Sequence, residues 1–488
     1  MVKLAGPLFS IEAQGTIGGA ITYQKGFGKH RAMRVPTHRD AESAGQLTQR
    51  SLFLDAVAAW NALSAPEKAA YNTRAKFLQM TGYNLFVKEY IANPPVPVME
   101  QVIFGGSIYN TSGTGVQYNY LGGGNQCGGG LTARLQVVST PGLLRSLYVE
   151  LNGAPGEGTS YTFAVMKNGV AQSLSVTISN LDTTGSDVDA GHEVSLAVGD
   201  TIQLRITPSG TPTARRPRWA VVYEGTIACE SLILGCGQTE ADEAVWYPLS
   251  CASGQSCSNE SYIQQIIPTS GVIRNLYVVL DVDPGVAPDA YRFTLRKNGV
   301  STALTCTITA NDVAGHDTDL AHAVTVVEGD YVSLMCEPLE GPAVEPLVFY
   351  GLTFVAAING ESLILGGSYP QPSVAVANYN GLISTVIDRD WSSVESGMTQ
   401  GAHVTTLKKL SVRLLTAPGA GKSYTFKPRV SAADSGIAVT ISESDVAGND
   451  SVNSKVLAAF DDLAMSCIPA GTPAATRAFW GLVGYIAP

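Results

Sequence analysis

Leu143 to Gly169 reads LLRSLYVELNGAPGEGTSYTFAVMKNG, and the stretch returns twice further along the chain. Its second copy is Val272 to Gly299, VIRNLYVVLDVDPGVAPDAYRFTLRKNG, and its third is Leu407 to Val430, LKKLSVRLLTAPGAGKSYTFKPRV. In each, a basic residue precedes Leu-x-Val-x-Leu, a Pro-Gly turn follows, and an aromatic residue opens a second alternating run. Side chains along a strand alternate faces, so Leu147, Val149 and Leu151 share one face, as do Leu276, Val278 and Leu280, and Leu410, Val412 and Leu414. The pattern predicts a strand, a tight turn and a second strand, three times over.

Working outward, the copies extend to whole domains. They begin at Glu100-Gln-Val-Ile-Phe-Gly-Gly, Glu230-Ser-Leu-Ile-Leu-Gly-Cys and Glu361-Ser-Leu-Ile-Leu-Gly-Gly. Middle strands align at Leu174, Leu304 and Ile437, late strands at Asp200, Asp330 and Asp462, and closing strands at Trp219–Tyr223, Phe349–Phe354 and Phe479–Tyr485. Roughly eight short strands per copy, separated by turn signals, point to antiparallel β-sandwiches of jelly-roll type. The repeat is too long for a solenoid, whose period is about 20–50 residues. The expected fold is mainly β: a small N-terminal β-hairpin plus three-helix module (1–95), then three tandem sandwiches at 98–226, 227–357 and 358–488.

The N-terminal module differs in composition. Residues 1–95 carry eleven Lys and Arg against six Asp and Glu, whereas the whole 488-residue chain has a net charge of −10. A basic head on an acidic body implies different partners at the two ends. Thr16–Gln24 and His30–Val35 read as a hairpin around Lys25-Gly-Phe-Gly-Lys29, with Lys25, Lys29, Arg31, Arg34 and Arg39 forming a basic arm. A first helix over Gln46–Ala62 places Phe53, Val57, Trp60 and Leu63 on one face. Ser64 and Glu67 form a capping box for the second helix, and Tyr83–Ile91 is the third, ended by Asn93-Pro94-Pro95. No apolar run reaches the ~18 residues of a membrane span, and Met1–Gly15 lacks the apolar core of a secretory signal, so no membrane insertion and folding in a cytoplasm are expected.

Chemistry-bearing residues have plain structural readings. Cys336 and Cys467 align with Ile206, and Cys306 with Val176 and Val439, as small core hydrophobes do. Cys229, Cys236, Cys251 and Cys257 crowd the second domain at C-x6-C-x14-C-x5-C, which leaves buried thiols, disulfides and a metal all open. Acidic loops around Asp312–Asp319 and Asp445–Asp450 suit Asx turns better than calcium. Gly122–Gly130 lacks the Lys-Ser/Thr and following helix of a phosphate loop. His192 and His322 fall at one repeat position, and GxSxG and HExxH are absent from the sequence. The expectation is a non-enzyme with no metal or cofactor.

Several motifs carry a resemblance. Gly15-Thr-Ile-Gly-Gly, Thr22-Tyr23, Gln46 with Arg50, Trp60-Asn-Ala-Leu-Ser, Glu67-Lys-Ala-Ala-Tyr-Asn and Met80-Thr-Gly-Tyr-Asn-Leu-Phe make residues 1–95 resemble modules of tailed-bacteriophage structural proteins. Ala417–Phe426 and Gly471–Arg477 likewise look like phage virion wording, while Val286-Ala-Pro-Asp departs from it. The resemblance implies a fibre or decoration protein of the virion, assembled in the host cytoplasm. Its basic head would dock on capsid, neck or tail proteins and an outward string of sandwiches would follow; by analogy the chain would be a homo-oligomer, a trimer.

Two other readings compete. A lectin-like adhesin would contact host surface glycans through Tyr118, Tyr120, Trp246, Tyr247 and Trp391, which lie in the least repetitive part of each domain. Trp60-x-x-Leu-Ser-x-x-Glu-Lys-x-x-Tyr-x-x-x-Ala75 resembles a second-helix segment of an HMG box, which implies DNA binding through the head.

Overall fold

The computed structural model describes residues 15–17, 21–26, 29–34, 44–92, 99–125, 128, 130–250, 256–383 and 391–487. The chain forms two compact units, Met1–Pro95 and Val96–Pro488.

In the first unit, strands Gly15–Ile17, Ile21–Gly26 and Lys29–Arg34 make a small antiparallel sheet. Helices α1 (Ala44–Ala62), α2 (Ala65–Lys76) and α3 (Gly82–Ala92) follow. The Glu67 carboxylate accepts from the Ser64 backbone N–H at 2.7 Å and from its hydroxyl at 2.6 Å, which satisfies a donor at the start of α2. Trp60 of α1 meets Tyr71, Tyr83 and Phe86 at centroid distances of 6.1, 5.8 and 5.6 Å, and Ala56, Phe86 and Val87 are buried beneath. Of the HMG-like segment, Trp60, Leu63 and Tyr71 belong to this small core, and Ser64 and Glu67 make the cap. Phe53, expected on the packed face, is 45% exposed. The reason is length: α1 has 19 residues (about 28 Å) and α3 has 11 (about 16 Å), and among the described residues α3 packs on the C-terminal half of α1.

The second unit holds three sandwiches built alike, each from two sheets. One sheet contains an opening strand (Met99–Ser107, Glu230–Gln238, Glu361–Ser368), a closing strand (Pro217–Gly225, Leu347–Ala356, Ala478–Tyr485) and a core strand (Gly142–Leu151, Gly271–Leu280, Thr406–Leu414). The other contains the second strand of the repeated hairpin (Gly156–Lys167, Ala290–Lys297, Gly419–Val430) and a late strand (Thr201–Ser209, Tyr331–Leu339, Asp462–Ala470). Named strand pairs are antiparallel except Gly123–Asn125, which runs parallel to Met99–Ser107. In the third copy the register is one residue off the sequence alignment. Asp462 takes the place of Thr201 and Tyr331, pairing with Gly401 as they pair with Val137 and Ile266, and Asp461 is the true partner of Asp200 and Asp330.

The sandwiches are not strung out. Each opening strand is buried on both faces, because alternate side chains enter two different cores. Ile233 points into the second core while Leu232 and Leu234 fill the first; Ile364 serves the third while Leu363 and Leu365 fill the second. Ile103 serves the first core while Val102 and Phe104 fill the third, and so the exchange closes on itself. This is a head-to-tail arrangement whose rotation closes, a ring of three domains within one chain. Each Leu or Phe so buried contributes roughly 1.5–3 kcal/mol relative to exposure, which is why the domains do not separate.

Candidate functional site

The three joints of the ring are the most elaborated places in the molecule. Each uses a two-residue joint strand, Gln136–Val137, Gln265–Ile266 or Gln400–Gly401. Its glutamine is buried, and the side-chain amide makes two hydrogen bonds to one loop residue of its own domain. Gln136 bonds N and O of Gly122 at 2.9 and 3.0 Å, Gln265 those of Ser250 at 2.9 and 2.8 Å, and Gln400 those of Ile383 at 2.9 and 2.6 Å. The second joint residue then meets the neighbour's closing strand. A Cβ at Gly351 would fall on the carbonyl oxygen of Val137, and one at Gly481 on that of Ile266. In the last joint the sizes are exchanged: Ala220 stands where the other copies have Gly351 and Gly481, and the facing residue is Gly401.

A buried carboxylate locks two of the joints. Glu361, wholly buried, binds Lys409 at 2.6 Å, Lys408 at 3.0 Å and the Thr269 hydroxyl of the second sandwich at 2.6 Å. Burial pushes its pKa up, but these partners outweigh burial and hold it below the usual range. Glu230 repeats the device with Arg274 and Thr140. Glu100 has Arg145 and Glu224 around it, but Val404 stands at the threonine position of the third copy. The last joint instead carries an ion pair between Arg218 and Asp462, with Glu150 at 2.7 Å from Arg218. Burial raises Asp462 to about 6 despite Arg218, and Glu150, Asp461 and Glu395 add to the rise. Tyr148 packs there against His403 at 4.7 Å and Phe460 at 5.0 Å, and burial lowers the pKa of His403.

The sequence-selected residues fall in different places. Lys25, Lys29, Arg31 and Arg34 lie on the small sheet, where Lys25 pairs with His30, Gln24 with Arg31 and Ile21 with Arg34; Arg39 lies outside the described residues. Tyr120 and Tyr247 offer no ring face to solvent: Tyr120 is sealed in the first joint with Val137, Cys236 and Phe349, and the Tyr247 hydroxyl donates to Gln238 O at 2.8 Å. Trp391 packs on Trp480 at 5.7 Å. Tyr118 and Trp246 are half-buried and structurally equivalent, pairing with Arg205 and Met335 of their late strands. The third member is Tyr379, opposite Ser466. Sequence reading missed it because the loops around it diverge, although Asn-Tyr-Asn at 118-like spacing from the opening strand is a usable signal.

Cys306, Cys336 and Cys467 are buried in the cores, and burial pushes Cys306 up to about 12 and the other two higher still, so these thiols stay protonated. Cys229 and Cys257 carry free thiols, Cys236 lies in the first joint, and Cys251 is outside the described residues. In the acidic loops, Asp187 accepts from Ser175 N and Asp189 N and pairs with His192 Nδ1 at 3.0 Å. Asp317 does the same with Thr305 N, Asp319 N and His322, and Asp450 with Ala438 N and Asn453. These carboxylates fasten the loop to the middle strand. Among the described residues no group of three or more His, Cys, Asp or Glu is placed to hold a metal, and no helix is long and apolar enough to cross a membrane.

No protein-family model matches this chain, and no curated protein matches it.

Proposed function

We propose that this chain is a structural component of a tailed-phage virion, of fibre or decoration type. Its N-terminal unit anchors it to capsid, neck or tail proteins, and its three-lobed body faces neighbouring subunits and host surface glycans. The observation that carries the reading is the ring. Three like domains that complete one another's cores make a rigid body suited to bearing load, and the sites elaborated most are its own joints. The charge division supports the anchoring role, since complementary charge steers assembly and fixes register. Changing Lys25, Lys29, Arg31, Arg34 and Arg39 to Ser is expected to release the protein from particles while the sandwiches stay folded. Unchanged incorporation into purified particles sinks the reading. A trimer of chains, implied by the fibre analogy, would appear in light scattering as three times 51.2 kDa.

One observation favours a glycan-binding role beside this. Tyr118, Trp246 and Tyr379 occupy the same place in all three sandwiches, an arrangement that would add avidity to weak sugar contacts. A glycan array with the full chain, showing no signal above a Tyr118, Trp246 and Tyr379 triple alanine variant, removes that role.

A further inference from the structure

The core strand presents one residue to each joint at the position paired with Ala220, Gly351 or Gly481: Tyr148, Tyr277 and Ser411. Tyr148 reaches across the last joint to Phe460, and Tyr277 packs on the apolar cluster spanning the first joint. In the joint between the second and third sandwiches the ring is gone. The residue equivalent to Phe460 there is Gly329; each donates its backbone N–H to the joint strand's following residue, Ala402 and Ile267 respectively. The first joint also has a glycine at the Phe460 position, Gly199, which donates to Val138 O at 2.8 Å, so what the middle joint lacks beside both others is the core-strand ring, replaced by Ser411. What remains is a groove of about 330 Å³ lined by Ile266, Glu328, Gly329, Ser411, Gly448 and Asn449. Ser411 is 2% exposed, and its hydroxyl, buried at the groove, has no hydrogen-bond partner. A buried polar group left unpaired is costly, so a ligand that satisfies it gains selectivity.

We propose that this groove receives an aromatic side chain, a tyrosine, from a partner protein. The argument is internal to the molecule: the other two joints fill the same place with a tyrosine from the chain itself. The walls are flat and small, formed by Gly329, Gly448 and the side of Ile266, which suits a ring face. A phenol adds what a phenyl ring lacks, a hydroxyl to pair with Ser411 or with the Glu328 carboxylate, which already accepts from the Asn449 amide. The inference goes beyond the virion reading and does not rest on it.

The test uses the full chain and p-cresol, the tyrosine side-chain analogue, with toluene and methyl α-D-glucoside as comparison probes, followed by saturation-transfer NMR and crystal soaking. Expected are p-cresol density between Ser411 and Gly329 and stronger binding of p-cresol than of toluene. Ser411→Tyr, which restores the ring of the other copies, should abolish p-cresol binding and leave the melting temperature equal or higher. Ser411→Ala, which removes only a hydroxyl, should lower p-cresol affinity about fivefold and leave toluene unchanged. Equal p-cresol binding by wild type, S411Y and S411A overturns the proposal, as does absence of p-cresol from the groove. Occupation by the glucoside in place of p-cresol overturns it in favour of a saccharide subsite.

Discussion

The first joint and the last are built on the same strands with opposite chemistry. Between the first and second sandwiches, Tyr120, Val137, Cys236 and Phe349 form an apolar seal. Between the third and first, Arg218 stands at the position of Phe349 and pairs with Asp462. The difference teaches how a ring of like domains fixes its order. The joint strands of Val137 and Ile266 each meet a glycine, Gly351 or Gly481, so those two pairings are alike in size, whereas the last joint differs both in size, with Ala220 and Gly401, and in charge. With unlike joints, a swapped partner leaves Arg218 or Asp462 buried against a ring, and an unpaired buried charge is strongly unfavourable.

The comparison breaks most severely at the buried carboxylate that locks the middle joint. Glu361→Ala should cost about 3–5 kcal/mol in urea unfolding, because it strands Lys408 and Lys409 against a buried surface. A loss below 1 kcal/mol would mean that the joint does not depend on it. Next comes size. Gly351→Ala should cost roughly 1–3 kcal/mol in the same unfolding measurement, because its Cβ would fall on the Val137 carbonyl oxygen, a backbone atom that moves only if the two strands part. A loss below about 0.5 kcal/mol, the size of an ordinary surface change, would show that the two strands do not meet there.

The charged joint gives an effect smaller than the loss of Glu361, and a pH-dependent one. Asp462 has a raised pKa, about 6, so its contribution is fully present below the ordinary carboxylate pKa and is lost as pH rises through 6. Asp462→Asn removes that dependence. The variant should gain on wild type by roughly 2–3 kcal/mol between about pH 4 and pH 7.5, read from melting curves. A difference that stays constant over that range refutes the burial of this carboxylate. Least of all should change on Cys306→Val, since Val176 and Val439 fill that place in the other copies; the expected shift is under about 1 kcal/mol. A larger loss would give that thiol a role beyond packing.

Much of the fold is legible in the sequence because it is local. The hairpin at Leu143–Gly169 alternates with period two, Ser64 and Glu67 sit at cap spacing, and Cys306 stands in for valine. The ring is not local, and its signs are easy to pass over. Leu232-Ile233-Leu234 is apolar without alternation, which marks a strand covered on both faces but does not say by what. The glutamines Gln136, Gln265 and Gln400 recur six residues before the core strand, a repeat of a polar residue that only makes sense once its loop partner is known. The burial of two of the five candidate sugar-contact aromatics, Tyr120 and Tyr247, is hidden in the sequence for the same reason. Tyr120 is not a rim residue once the second sandwich is beside it.

The shared opening strands also set the order of events at the ribosome. The first sandwich cannot complete its core until Leu232 and Leu234 have been synthesised, and the second must wait for Leu363 and Leu365. The third core is completed by side chains made long before, Val102 and Phe104, whose face of the strand stays uncovered until the last domain emerges. Nascent chains therefore carry an uncovered apolar face until the third sandwich emerges and packs on it.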